Sequence, residues 1–122
     1  MTSTNSTSTT QEDKSWKNIC STSDLVKDSG ISALIADNQQ IAIFNIDKTT
    51  NKVFAIGNYD PIGKANVLSR GIVGCVNDEP VIASPLYKQH FSLVTGKCLQ
   101  DEEHSVDVYS VRIVEDQVQL FY

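Results

Sequence analysis

Ile72-Val73-Gly74-Cys75-Val76, Asn77-Asp78-Glu79-Pro80, Val81-Ile82-Ala83, Ser84-Pro85-Leu86-Tyr87-Lys88-Gln89 and His90-Phe91-Ser92-Leu93, closed by Thr95-Gly96, form the run that decides the fold. Two short apolar pieces flank a polar quartet of turn formers, a proline-bearing interruption follows, and a third apolar piece ends in a turn. Pieces of this length, rich in β-branched residues, suit strands and not helices. The pattern predicts antiparallel strands, with Ser84 to Gln89 held out as a loop.

The same punctuation extends outward in both directions. Trp16 to Cys20 reads as a first strand, and Ser23 to Lys27 offers an Asp or Ser cap for one helical turn that Gly30 ends. Ile31 to Ala36 and Gln40 to Ile46 flank Asp37-Asn38, a pair that tolerates left-handed backbone, so they read as a hairpin; Lys52 to Gly57 follows as a strand. From Asn58 to Gly71 the alternation stops, and Pro61, Gly63 and Gly71 mark a long loop of the kind that carries function. Val106 to Val114 and Val118 to Tyr122 close the chain around Glu115-Asp116. Eight or nine short strands with at most one short helix predict an all-β antiparallel sandwich or partly open barrel from which two loops protrude.

Residues 1–15 differ in kind from the rest. Eight of the nine residues from Thr2 to Thr10 are Ser or Thr, too polar to offset the entropy of ordering, so a disordered tail is expected, with the folded domain spanning 16–122. The 122 residues fit one domain, and 40% hydrophobic with 20% charged residues is ordinary globular usage. A net charge of −5 and a pI near 4.8, with no basic stripe, argue against nucleic acid and anionic membranes as partners. The N-terminal residues lack the basic-then-apolar order of a secretory signal, and no apolar run approaches bilayer length, so a cytoplasmic protein is expected. Cys20, Cys75 and Cys98, odd in number and widely spaced, are expected as free thiols.

Chemistry-bearing patterns are scarce. Cys20, Cys75, Cys98, His90 and His104 do not form the close pairs with which two loops clamp a metal. His90, beside Phe91 at a strand start, reads as a core-edge residue with a hydrogen-bonded ring, and His104 as exposed. Asp101-Glu102-Glu103 reads as a solvated loop. Neither a local nucleophile–base pair nor a Gly-rich phosphate loop is present.

The two loops carry a resemblance. A Rieske domain is a small all-β fold whose two loops hold a 2Fe-2S cluster through C-x-H and C-P-x-H, the second followed by a phenylalanine strand and a T-G turn. Ser84-Pro85-Leu86-Tyr87, then His90-Phe91-Ser92-Leu93-Val94-Thr95-Gly96, resembles that second motif with both ligands replaced, and Asp60-Pro61-Ile62 stands where C-x-H would. With Trp16-Lys17-Asn18-Ile19-Cys20, Ile41-Ala42-Ile43-Phe44, Val53-Phe54-Ala55-Ile56, Val67-Leu68-Ser69-Arg70-Gly71 and Asp101-Glu102-Glu103 to Ser105-Val106, the chain from Trp16 to Tyr122 resembles the small subunit of cytoplasmic NAD(P)H-dependent nitrite reductase.

The resemblance implies a chain without a catalytic, cofactor or metal site, whose ligand positions Asp60, Ile62, Ser84 and Tyr87 are vacant. It implies a large subunit that carries FAD, an iron–sulfur cluster and siroheme and reduces nitrite to ammonium in nitrate assimilation. This chain would support or activate it by binding, with a homo-oligomer left open. Tyr87 and Ile62 are expected to pack together or against Pro61 and Pro85 in place of a cluster, at roughly 1.5–3 kcal/mol for one such side chain. Tyr59, Pro61, Arg70, Pro85, Tyr87 and Lys88, at or near the loop tips, are the interface candidates. Two other readings are a true cluster-bearing ferredoxin, which needs the absent Cys and His, and a stand-alone ligand-binding β-domain, which needs a roomy apolar pocket.

Overall fold

The computed structural model describes residues 14–27, 29–35, 38–47 and 52–122. Twelve strands occur among them, and every strand ladder is antiparallel. The central sheet has the order β10-β4-β3-β2, built from β2 (Gly30–Ile35), β3 (Gln39–Asp47), β4 (Lys52–Gly57) and β10 (Val108–Tyr109). On one side lies β1-β12-β11, from β1 (Trp16–Ser21), β11 (Val111–Val114) and β12 (Gln117–Phe121). On the other lies β7-β8-β9, from β7 (Ile72–Val76), β8 (Glu79–Ala83) and β9 (His90–Ser92). A small hairpin, β5 (Tyr59–Asp60) with β6 (Ala65–Asn66), carries the first loop. The sheets do not close into a barrel.

Strand β3 explains the layering. Ile41 to Asn45 are all buried, and the side-chain alternation of a strand sends Ile41 and Ile43 one way, Ala42 and Phe44 the other. The first pair joins Leu25, Val118 and Leu120 in one core, and the second joins Leu68, Ile82, Phe91, Leu93 and Cys98 in another. An uninterrupted apolar run is what a strand covered on both faces requires.

Several local expectations shift. The capped turn is a 3-10 turn at Thr22–Asp24, with Ser21 and Asp24 bonded reciprocally to each other's backbone N–H side, and Gly30 does not end it. Gly30 opens β2, where a Cβ would meet Phe44 Cε1 at 2.5 Å and the Ser69 carbonyl oxygen at 2.7 Å, so its role is close approach. Asn77 and Asp78 alone, at φ 51° and 66°, form the turn between β7 and β8, and Pro80 falls inside β8. The stretch from Val106 to Val114 is two strands in two sheets, because the chain crosses between layers at Ser110. Counting such short pieces raises the number of strands above eight or nine. Glu115-Asp116 makes the expected last turn, at φ 49° and 65°. The expected tail lies outside the described residues except for Lys14 and Ser15, and Ser15 exchanges backbone hydrogen bonds with Tyr122 at 3.1 and 3.3 Å. Ala36 and Asp37 of the expected hairpin also lie outside them.

Candidate functional site

The two loops meet at one end of the molecule. The first, Pro61 to Lys64, turns between β5 and β6. Asp60 Oδ1 accepts from the N–H groups of Ile62 at 2.8 Å and Gly63 at 3.0 Å, the local bonding that makes Asp a turn former. In the second loop the Ser84 N–H donates to the Gln89 carbonyl at 2.9 Å, and Lys88, at φ 64°, donates back to the Ser84 carbonyl at 3.0 Å. Ser84 Oγ accepts from the Leu86 N–H at 3.3 Å.

Between the loops, Ser84 Oγ donates to Asp60 Oδ2, joining residues 24 apart in sequence. Both are closed to water, at 0% and 1% exposure. A buried carboxylate is costly unless its oxygens are bonded, and here one oxygen takes two backbone donors and the other takes the hydroxyl. Gly63 presses on the second loop so closely that a Cβ would lie 2.4 Å from Leu86 Cδ1.

Sequence reasoning did not single out Asn58, which sits at the root of the first loop. It is 1% exposed; its Oδ1 accepts from the Ser69 N–H at 2.7 Å and its Nδ2 donates to Gln40 Oε1 at 3.0 Å. Its carbonyl accepts from Val67 and Leu68, so one side chain and one peptide anchor the 3-10 turn Leu68–Arg70 that carries Arg70. The only available signal was an Asn at a strand end, a common turn residue.

The six interface candidates divide. Arg70, Pro85 and Lys88 line one groove of about 460 Å³ together with Ile72, Ser84 and His90. Tyr59 and Pro61 line a second of about 180 Å³, with Gln40 and Ser105 among its walls. Tyr87 lines neither and stands 65% exposed. The packing expectation is therefore corrected: Tyr87 projects outward, Ile62 packs on the Phe44–Phe91 core, and a hydrogen bond joins the loops.

The remaining polar groups are structural in their bonding. His90 Nδ1 lies 2.9 Å from Gln100 Nε2, and Gln100 Oε1 accepts the His90 N–H at 2.9 Å. His104 Nδ1 lies 2.7 Å from Asp101 Oδ2, both half-exposed, so His104 is paired. The Glu103 N–H, and then the His104 ring, hold the Asp101 carboxyl below its ordinary value. Cys20, Cys75 and Cys98 are free thiols, and burial pushes the Cys20 thiol up. A cavity of about 580 Å³ elsewhere has mixed walls, with Lys14, Gln39, Asp107 and Tyr109 beside Ile35, Val108 and Phe121.

Residues 15–121 match the Rieske-like [2Fe-2S] domain family. The chain is 43% identical over 105 residues to the "Nitrite reductase (NADH) small subunit" of Escherichia coli (strain K12), covering 86% of this chain and 95% of that one. The NMR structure of the E. coli protein NirD superposes with a TM-score of 0.81 at 41% identity, over 89% of this chain and 97% of that one. The chain belongs to the nitrite reductase small-subunit family. Members carry names that make them part of an oxidoreductase enzyme. The chain also matches, at 35% identity over 103 residues, 84% of itself and 10% of a Klebsiella oxytoca protein named "Nitrite reductase [NAD(P)H] large subunit". A Sphingomonas yanoikuyae ferredoxin, 18% identical with a TM-score of 0.70, shares the fold alone.

The Rieske-like family implies a 2Fe-2S group, and the residues of this chain at the two loops do not fit one. Cluster loops supply thiolates and imidazoles. Here Asp60 and Ser84 hold a carboxylate and a hydroxyl bonded to each other, Ile62 packs on the core and the Tyr87 phenol stands outward, and none of the four is a thiolate or an imidazole. Among the described residues no group of three or more His, Cys, Asp or Glu is placed to hold a metal ion, and no helix is long and apolar enough to cross a membrane.

Proposed function

We propose that this chain is a cluster-free small subunit of a cytoplasmic NAD(P)H-dependent nitrite reductase in nitrate assimilation, acting by binding the large subunit. The observation that carries this is the buried Asp60–Ser84 hydrogen bond, which joins the two loops where cluster-bearing relatives of the fold need donors. With no cluster of His, Cys, Asp or Glu placed to hold a metal among the described residues, the chain's contribution in this reading is contact, and it supports or activates the enzyme through the loop end. Tyr59 and Tyr87 supply aromatic area and Arg70 and Lys88 positive charge there, beside Pro61 and Pro85, on an otherwise acidic protein. FAD, an iron–sulfur cluster and siroheme belong to the large subunit in this reading.

The Klebsiella oxytoca match supports the choice of partner. A domain of this kind occupies about a tenth of a chain named as a large subunit, so one chain there contains both parts. A covalent connection supplies one such domain per large chain, and the separate small subunit is proposed to bind in the same ratio, one to one. Iron analysis and a visible spectrum of the full chain purified without oxygen test the cluster-free claim. The expected result is no stoichiometric iron and no charge-transfer band; a stoichiometric pair of irons would falsify it.

A further inference from the structure

Strand β7, Ile72–Val76, pairs with β8 on one side only. Its sequence, IVGCV, contains no charge and no proline, the devices by which exposed sheet edges are normally protected. Its free backbone groups can be assigned. Leu93 N–H donates to the Pro80 carbonyl at 2.9 Å, so Pro80 faces β9, and the alternation along β8 turns Glu79, Val81 and Ala83 toward β7. Their partners Val76, Gly74 and Ile72 then bond inward, which leaves the N–H and C=O of Val73 and Cys75 on the open edge. Two such residues at i and i+2 are what an added strand engages.

The edge ends in the groove of Arg70, Lys88 and His90, whose apolar walls include Ile72, itself 74% exposed. No acidic side chain lines that groove, and neither Arg70 nor Lys88 has an ion-pair partner among the described residues. On a chain of net charge −5 this is a local reversal of sign. A second copy of the chain would bring an uncharged β7 and further cations, so it does not complement the site. An extended segment with carboxylates at one end does.

We propose that an extended acidic segment of the large subunit adds to β7 as an edge strand, its backbone bonded to Val73 and Cys75 and its carboxylates seated between Arg70 and Lys88. The proposal rests on the reading that this chain binds the large subunit. Cys75 is exposed on β7, whereas Cys98 is buried and Cys20 half-buried, so alkylation of Cys75 reports on the edge.

The experiment uses the full chain with and without its large subunit, complex formation being confirmed by co-elution, and reads N-ethylmaleimide labelling of Cys75 by peptide mass spectrometry. Labelling is expected to slow roughly tenfold or more in the complex. Cys75→Pro, which removes an outward N–H without breaking a bond to β8, is expected to weaken binding roughly tenfold, while Cys75→Ser binds as the parent does. Arg70→Glu is expected to weaken binding and flatten its salt dependence. Co-elution with unchanged Cys75 labelling overturns the strand addition and leaves the functional reading standing; absence of co-elution overturns both. Normal binding by folded Cys75→Pro also overturns it, as does concentration-dependent protection of Cys75 in the free chain, which assigns the edge to self-association.

Discussion

Ser84 donates its hydroxyl proton to Asp60 where both side chains are closed to water. Removing that donor leaves a carboxylate oxygen buried and short of a partner, so Ser84→Ala is expected to cost about 1–3 kcal/mol. Thermal melting checks this, at about 4–8 °C per kcal/mol for a domain near 100 residues. An unchanged melting temperature would contradict the role given to the bond. Tyr87→Ala is expected to do the reverse: its side chain is 65% exposed, so melting stays within about 0.5 kcal/mol of the parent while binding to the large subunit weakens. The contrast shows where reading the sequence stops. Residue types at Asp60, Ile62, Ser84 and Tyr87 already exclude a thiolate–imidazole set. That Asp60 and Ser84 bond to each other depends on how loops 24 residues apart close, which no local pattern encodes. An exposed tyrosine and a packed one look alike in sequence.

The loops act as elements through their contact. Gly63→Ala places a methyl 2.4 Å from Leu86 Cδ1 and 3.0 Å from Asp60 Oδ2. Leu86 can give way but Asp60 is anchored, so a loss of about 1–3 kcal/mol is expected. Leu86→Ala in the same chain is expected to recover part of it, which a double-mutant cycle of melting measurements checks. The loop from Leu99 to Ser105 is expected to respond to acid. The Asp101 carboxyl, held below its ordinary value by the Glu103 N–H and the His104 ring, stabilises this loop above the unfolded carboxylate range. That contribution is lost as pH falls through the lowered value. Protection of the Glu103 and His104 amides, measured against their intrinsic exchange rates, is therefore expected to be high at neutral pH and lower at an acid pH that protonates Asp101. Equal protection at both pH values, or no change in Asp101→Asn, would contradict the assignment. Strands β4, β7 and β12 were legible from apolar runs bounded by Asn, Asp and Gly, because local propensity and burial agree there. Strands β5 and β6 were not, since two-residue pieces carry no period.

At the scale of the whole molecule, a central sheet buried on both faces holds the loop end at a fixed place, and Asn58 fixes Arg70 against it. The all-β class followed from short strands and two interruptions, and the Rieske-like topology from the resemblance of Ser84-Pro85-Leu86-Tyr87 and His90 to Gly96 to a Rieske loop. The split of the interface candidates into two grooves did not, because groove membership is set by how β7, β8 and the 3-10 turn pack together. If this molecule works by contact with a large subunit, nitrite-dependent NAD(P)H oxidation by that subunit, titrated with the full chain, shows it. The rate is expected to rise and saturate at one small subunit per large one, with the two co-eluting. A flat titration without co-elution would contradict it and leave the chain with the family's fold but not its role.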